Sequence, residues 1–237
     1  MNDDPNHTPS SGEFFAAWAI YRSIIEHNLM RHDELVGALS DWWQSLLGKP
    51  KSILDLGCGD AHVPLRAFEN FSGDYYGIDS SVEAIAIAEA SMADVGWVSS
   101  FHLSDVDQAL RKWTMPVDMV FAGYMLHHLS DQRKATAVQD IASLLEPGGW
   151  FVLYDIMRRE EESRDDYVER QGQLFIEEWT QLSMDQRLAT KHHIETSDFA
   201  VSPNQWREMA MAAGLTEYAC LYRDDDEFWG LLVFAKN

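Results

Sequence analysis

From Glu13 to Leu29 the apolar residues Phe14, Trp18, Tyr21, Ile25 and Leu29 recur every three or four positions, which is the stripe of an amphipathic helix. A second stripe, Leu35, Val36, Leu39, Trp42, Trp43, Leu46 and Leu47, predicts another helix that Gly48 and Pro50 end. The period then changes. SILDLG (52–57) and YYGID (75–79) are short apolar runs that read as buried strands, and WVSSFHL (97–103), VDMVFAG (117–123) and WFVLYDI (150–156) follow them. Helical stretches at 81–93 and 131–145 fall between these runs. Strand alternating with helix predicts a doubly wound α/β sheet, because parallel neighbours need a crossover.

Residues 157–201 break that rhythm. Arg158 to Glu169 reads as a charge-rich helix, Phe175 and Trp179 are isolated aromatic points, and KHHIETSD (191–198) reads as a polar loop. The segment is expected to be a cap inserted over the sheet. Ser202 and Pro203 then predict a helix start as N-cap and first-turn residue, and Gly214 its end. TEYACLYR and FWGLLVFAK, separated by DDDE, predict an antiparallel hairpin on a sheet edge. The expected organisation is a tail at 1–12 and a single domain at 13–237. Within it lie a helical cover (13–47), a core (50–156), the cap (157–201) and a closing helix and hairpin (202–237).

Charge narrows the partners. Lys and Arg number 18 and Asp and Glu 39, a formal charge of −21. A phosphate backbone is held by cationic neutralisation, so no nucleic-acid partner is expected, and the same repulsion disfavours anionic membrane surfaces. The polar, acidic N-terminus does not read as a signal peptide, and no apolar run approaches the roughly 18 residues that span a bilayer. Two cysteines, Cys58 and Cys220, suit a reducing compartment, so a cytoplasmic location is expected.

The strongest local signal is ILDLGCGDAH (53–62), in which an apolar strand carrying Asp55 leads into Gly57 and Gly59 and then a helix. Glycines at the carboxyl end of a parallel strand let the backbone approach a ligand, and the helix N-terminus offers free N–H groups. Asp79 closes the second strand, 20 residues beyond Gly59, where a carboxylate can accept both hydroxyls of a ribose. A dinucleotide site shares this logic, but its fingerprint requires a third glycine where His62 stands.

Asp55 before the glycines, Asp79 after strand two, Asp105 after strand three and HHL (127–129) after strand four together resemble the class I S-adenosylmethionine-dependent methyltransferases. The resemblance is specific over about 50–156 and implies a Rossmann-like seven-stranded sheet with S-adenosylmethionine as cofactor. It implies that Asp55, Gly57 and Gly59 form the loop at the methionine part of the cofactor and that Asp79, with Ser80, binds the ribose. Asp105 and Val106 would read the adenine, and Gly123 would lie under the sulfonium. Ala61 departs from the pattern, standing where many members have a third glycine.

A sulfonium can be held by an aromatic face. Trp18 and Tyr21 suit that role or that of core anchors, and Arg22 suits either the cofactor carboxylate or solvent. His127 and His128 are the candidate bases, with His128 preferred, and each has an alternative role in bracing the loop. No metal is expected, because adjacent histidines lack the i, i+4 spacing that points two ligands to one side of a helix. The expected partner is a small-molecule acceptor, with a homodimer formed through apolar residues of the helical cover. Two rivals remain. One is other chemistry on the same cofactor, such as carboxyl transfer; the other is a non-catalytic cofactor-binding subunit.

Overall fold

The computed structural model describes the backbone of residues 11–237 and the side chains of residues 18–237 other than Glu217. Residues 1–10 of the expected tail, and the side chain of Phe14 in the first stripe, lie outside the described residues.

Helices α1 (Ser11–Glu26) and α2 (His32–Ser45) precede an alternating core. The core runs β1 (Ser52–Leu56), α3 (His62–Ala67), β2 (Asp74–Asp79), α4 (Val82–Met92), β3 (Val98–Leu103), α5 (Val106–Lys112), β4 (Val117–Gly123), α6 (Asp131–Leu144) and β5 (Leu145–Ile156). After β5 come α7 (Arg164–Glu177), α8 (Met184–Ser197), α9 (Pro203–Ala212), β6 (Leu215–Arg223) and β7 (Trp229–Lys236). One seven-stranded sheet results, ordered β3-β2-β1-β4-β5-β7-β6. Strands β1 to β5 are parallel, and β7 enters antiparallel between β5 and β6.

Alternate strand residues serve two apolar layers, as a pleated strand buried on both faces requires. Ile53, Phe121, Tyr154, Leu231 and Val233 pack with α2, α4 and α7, whereas Leu54, Val120, Leu153, Leu232 and Phe234 pack with α5, α6 and α9. Leu56 pairs with Ile78, Asp79 with Leu103, and Gly123 with Tyr154. This register brings the carboxyl ends of the five parallel strands to one edge of the sheet.

Four local expectations are corrected. The helix read from Arg158 begins only at Arg164, where Ser163 caps it by accepting the Asp166 N–H. KHHIETSD is not a loop: residues 191–197 belong to α8, whose start is fixed by a capping box between Ser183 and Gln186. Strand β5 begins at Leu145, where the helix was expected to end, and not at Trp150. Helix α5, which the apolar pattern did not predict, is capped by Asp105.

Candidate functional site

The glycine loop follows β1 directly. The N–H groups of Gly57 and Cys58 donate to Ile78 O at 2.8 and 2.9 Å, tying the loop to the end of β2. The Gly59 N–H donates to Asp79 Oδ2 at 3.0 Å and the Ser81 N–H to Asp79 Oδ1 at 2.8 Å. Gly57 and Gly59 have φ of 72° and 53°, which L side chains adopt only with strain. A Cβ on Gly57 would stand 2.5 Å from Met125 Cγ, whereas one on Gly59 would enter open space. Ala61, at the third glycine place, is itself left-handed at φ 60° and fully buried. Asp55, 1% exposed, accepts the Tyr75 hydroxyl, and burial pushes its carboxyl up to about 7; the Tyr75 bond opposes the rise and the Asp79 charge adds to it.

A cavity of about 390 Å³ opens at the carboxyl edge of the sheet, and Gly57, Asp79, Ser80, Asp105 and Val106 line it. Its volume is that of a small-molecule site. Asp105 is the N-cap of α5, with Oδ1 accepting the Asp107 N–H at 2.9 Å, so the helix start fixes its position. Asp55, Gly59 and Gly123 neighbour these residues in sequence and are not part of the cavity wall. The wall also contains Ser104, Tyr124, Met125, Leu129 and Arg133, none named as a site residue from the sequence; Ser104, Tyr124 and Leu129 adjoin Asp105, Gly123 and His128, whereas Met125 and Arg133 carried no such signal.

The ring centroids of Trp18 and Tyr21 on α1 lie 5.2 Å apart. Burial raises the Tyr21 phenol, and the charges of Asp60, Asp79 and Asp55 raise it further, which sets Tyr21 beside the acids of the glycine loop. Arg22 is exposed. His32, also missed, is 1% exposed, and among the described residues neither of its ring nitrogens has a hydrogen-bond partner. Its ring lies 5.1 Å from that of Tyr124, in the cavity wall, and 6.4 Å from that of Tyr21. Burial, with the charges of His62 and Arg66 adding and that of Asp33 opposing, pushes His32 down to about 4. A neutral imidazole therefore faces these aromatic rings.

A single 3₁₀ turn, Leu126–His128, carries the two candidate bases. His127 is buried; its backbone N–H donates to Asp155 Oδ2 at 3.0 Å, and its Nδ1 lies 2.5 Å from Asp155 Oδ1. His128 lines the cavity. Asp198, just past α8, reaches both histidines, and His193 of α8, itself exposed, joins them, whereas His192 lies by Glu195. The α8 terminus is held there by the Phe199 N–H, which donates to His127 O at 2.8 Å, and by Arg164 Nε, which donates to Asp198 O at 2.9 Å.

Comparison with known proteins gives the site a family. Residues 53–149 match the family described as Methyltransferase domain. The chain is 28% identical over 122 residues to the methyltransferase YcgJ of Bacillus subtilis, an alignment covering 52% of this chain and 47% of YcgJ, about half of that relative's length. In fold it is similar to magnesium protoporphyrin IX methyltransferase of Synechocystis, solved with bound SAH. That match has a TM-score of 0.63 and 14% identity, and covers 96% of this chain and 95% of that one. An O-methyltransferase family 2 protein of Planctomyces limnophilus, solved in complex with apigenin, matches with a TM-score of 0.61 and 15% identity, covering 91% and 61% of the two chains. Residues 53–149 thus form a methyltransferase domain of the class I S-adenosylmethionine-dependent family, whose cofactor is S-adenosylmethionine.

Proposed function

We propose that the protein transfers a methyl group from S-adenosylmethionine to a small-molecule acceptor. The observation that carries this reading is the convergence of Gly57, Asp79, Ser80, Asp105 and Val106 on one cavity at the carboxyl edge of the sheet within a methyltransferase domain. The residues fit the cofactor. Gly57 and Gly59 are left-handed, and the space above Gly59 is open, so backbone can approach a ligand closely. Asp79 keeps lone pairs for the ribose hydroxyls beyond the two backbone N–H groups it already accepts. Asp105 and Val106 line the same cavity and would read the adenine amino group and ring nitrogen. Tyr21, which feels the charges of the glycine-loop acids, and Trp18 beside it lie outside the cavity wall and would offer aromatic faces to the cationic sulfonium at its margin. When bound, the cofactor supplies a methyl on a positively charged leaving group.

For such an in-line displacement the protein's main contribution is position, worth up to about 7–11 kcal/mol of barrier. The acceptor end is the side of Tyr124, Met125 and His128. A small polar acceptor is supported by His32, whose buried ring nitrogens lack partners next to Tyr124, because an unpaired buried donor or acceptor costs about 1–3 kcal/mol until something pairs it. Magnesium protoporphyrin IX and apigenin, the small molecules named with two proteins of similar fold, lend support to the acceptor class. No helix among the described residues is long and apolar enough to cross a membrane.

The test is calorimetry with S-adenosylhomocysteine, followed by incubation of the protein with labelled S-adenosylmethionine and a fractionated small-molecule extract. Asp79→Ala is expected to lose about 1.5–3 kcal/mol of cofactor affinity, the worth of hydrogen bonds to a charged group. Unchanged affinity in the folded variant removes Asp79 from the site, and label that enters only macromolecules overturns the small-molecule acceptor.

A further inference from the structure

Beside the cavity, between the turn at Leu126–His128 and the end of α8, four side chains converge in a way that cofactor binding does not explain. Asp198 is 4% exposed, and among the described residues no donor is aligned on its Oδ1 in a well-formed hydrogen bond. Imidazole nitrogens nevertheless surround that oxygen: His128 Nδ1 at 3.2 Å, His193 Nε2 at 3.4 Å and His127 Nε2 at 3.8 Å. A buried carboxylate oxygen ringed by imidazole nitrogens at these distances is an ion-pair cluster when the rings are protonated. When they are neutral it is a good ligand set, since lone pairs that converge on one point can share a metal ion. A tetrahedral zinc site with bonds of about 2.1 Å has ligand–ligand edges of roughly 3.4 Å. The ligating atoms of His127, His128 and Asp198 all lie within 4.8 Å of one another.

The surroundings match as well. His127 turns Nδ1 to the fully buried Asp155, 2.5 Å away. An acceptor-only carboxylate there fixes the proton on Nδ1 and leaves the lone pair on Nε2, which is the carboxylate–histidine arrangement that orients a metal ligand. Two buried carboxylates, Asp155 and Asp198, meet one buried ammonium, Lys134, so a cation is electrostatically welcome. Lys134 Nζ is itself engaged by Leu129 O and Phe199 O, the two loops that deliver His128 and Asp198.

We propose that His127, His128 and Asp198 bind a divalent transition-metal ion of the zinc class, with His193 at the rim of the site and Asp155 as a positioning residue for His127. His128 also lines the cavity, so the ion borders the space where the acceptor is placed. Only this last consequence rests on the methyltransferase reading: the ion would bind an acceptor hydroxyl or thiol and acidify it, the proton passing to solvent, before the oxygen or sulfur attacks the methyl, the methyl–sulfonium bond breaks and S-adenosylhomocysteine leaves as a neutral thioether. His128 then acts as a ligand and not as a free base.

The full-length protein, stripped with chelator and free of cofactor, is titrated with zinc against a chromogenic chelator, and with cobalt for the visible absorption of a tetrahedral site. One ion per chain is expected. Asp198→Asn and His128→Ala should each weaken it at least about 100-fold, and Asp155→Asn about 10–100-fold. His102→Ala, remote from the cluster, should leave it unchanged. Failure to bind one ion per chain, or equal binding by the Asp198→Asn and wild-type proteins, overturns the site. S-adenosylhomocysteine affinity measured on the same stripped protein separates the two readings: an intact value with no metal bound sinks only the metal site, and a lost value with metal bound sinks only the cofactor site.

Discussion

The Tyr75 hydroxyl donates a 2.5 Å hydrogen bond to Oδ2 of Asp55, joining adjacent strands beside the glycine loop. Both groups are buried, so this bond is the main compensation for a carboxyl held away from water. Burial moves Asp55 from 3.8 to about 7. The folded state therefore holds a proton that the unfolded chain has released, and stability falls as pH rises between those two values. Asp55→Asn keeps the shape and an acceptor for Tyr75 but cannot ionise. Urea unfolding from pH 4 to pH 7 should show the variant gaining on wild type as pH rises. A constant difference would mean that Asp55 ionises as it does in the unfolded chain.

The strained turn gives a second prediction. Gly57→Ala meets both an unfavourable φ and Met125 Cγ at 2.5 Å, whereas Gly59→Ala meets only the φ. The left-handed penalty is about 1–2 kcal/mol, and overpacking adds about 1–3 kcal/mol. Gly57→Ala should therefore lose clearly more stability than Gly59→Ala. In a cycle with Met125→Ala, which removes Cγ but leaves Met125 Cβ 2.9 Å away, the double variant should recover part of the excess. Equal losses for the two glycines would place Met125 elsewhere.

The glycine loop was legible because a buried parallel strand shows as a continuous apolar run and a left-handed turn shows as glycine. Strand β4, Val117–Gly123, stands where its run predicts. Helix α8 was not legible, because Ile194 is its only buried residue and no apolar period marks a helix that sits on another helix. Asp198 carried no local signal at all. It meets His127 and His128 only after α6, β5, α7 and α8 return the chain to the sheet edge, some 70 residues later. His32 shows the same limit, since its neighbours Tyr124 and Tyr154 lie far along the chain.

The third prediction concerns how α7 is held. Arg170 forms a paired contact with Glu162, Nε to Oε1 at 2.7 Å and an Nη to Oε2 at 2.8 Å, donates to Asp226 O at 2.7 Å, and lies 3.9 Å over the Phe228 ring. Lysine cannot reproduce the planar fork or the stack, so Arg170→Lys should cost about 1–3 kcal/mol. Burial raises the Glu162 carboxyl, but the bond from Arg170, with those from Arg159, outweighs it and sets the carboxyl below its ordinary value. The contribution is thus present above the unfolded pKa and lost as pH falls through the folded one. The stability gap between wild type and Arg170→Lys should narrow under acid; a gap independent of pH would assign the effect to packing on Phe228 alone.

His32 supplies the last prediction. Burial lowers its pKa from 6.5 to about 4, so between those values the unfolded chain binds a proton that the folded protein refuses. Stability is complete above the unfolded value and is lost as pH falls through the window, at up to about 1.4 kcal/mol per pH unit for one proton. His32→Phe retains an aromatic ring among Tyr21, Tyr124 and Tyr154 and removes the titration. At pH 7 the variant and wild type should differ by packing alone, and on acidification to pH 4.5 the balance should shift steadily toward His32→Phe. Chemical denaturation of both proteins at half-unit pH steps measures the slope directly. A difference that stays flat would show that His32 takes up its proton in the folded protein, and a polar partner would then have to lie against its ring.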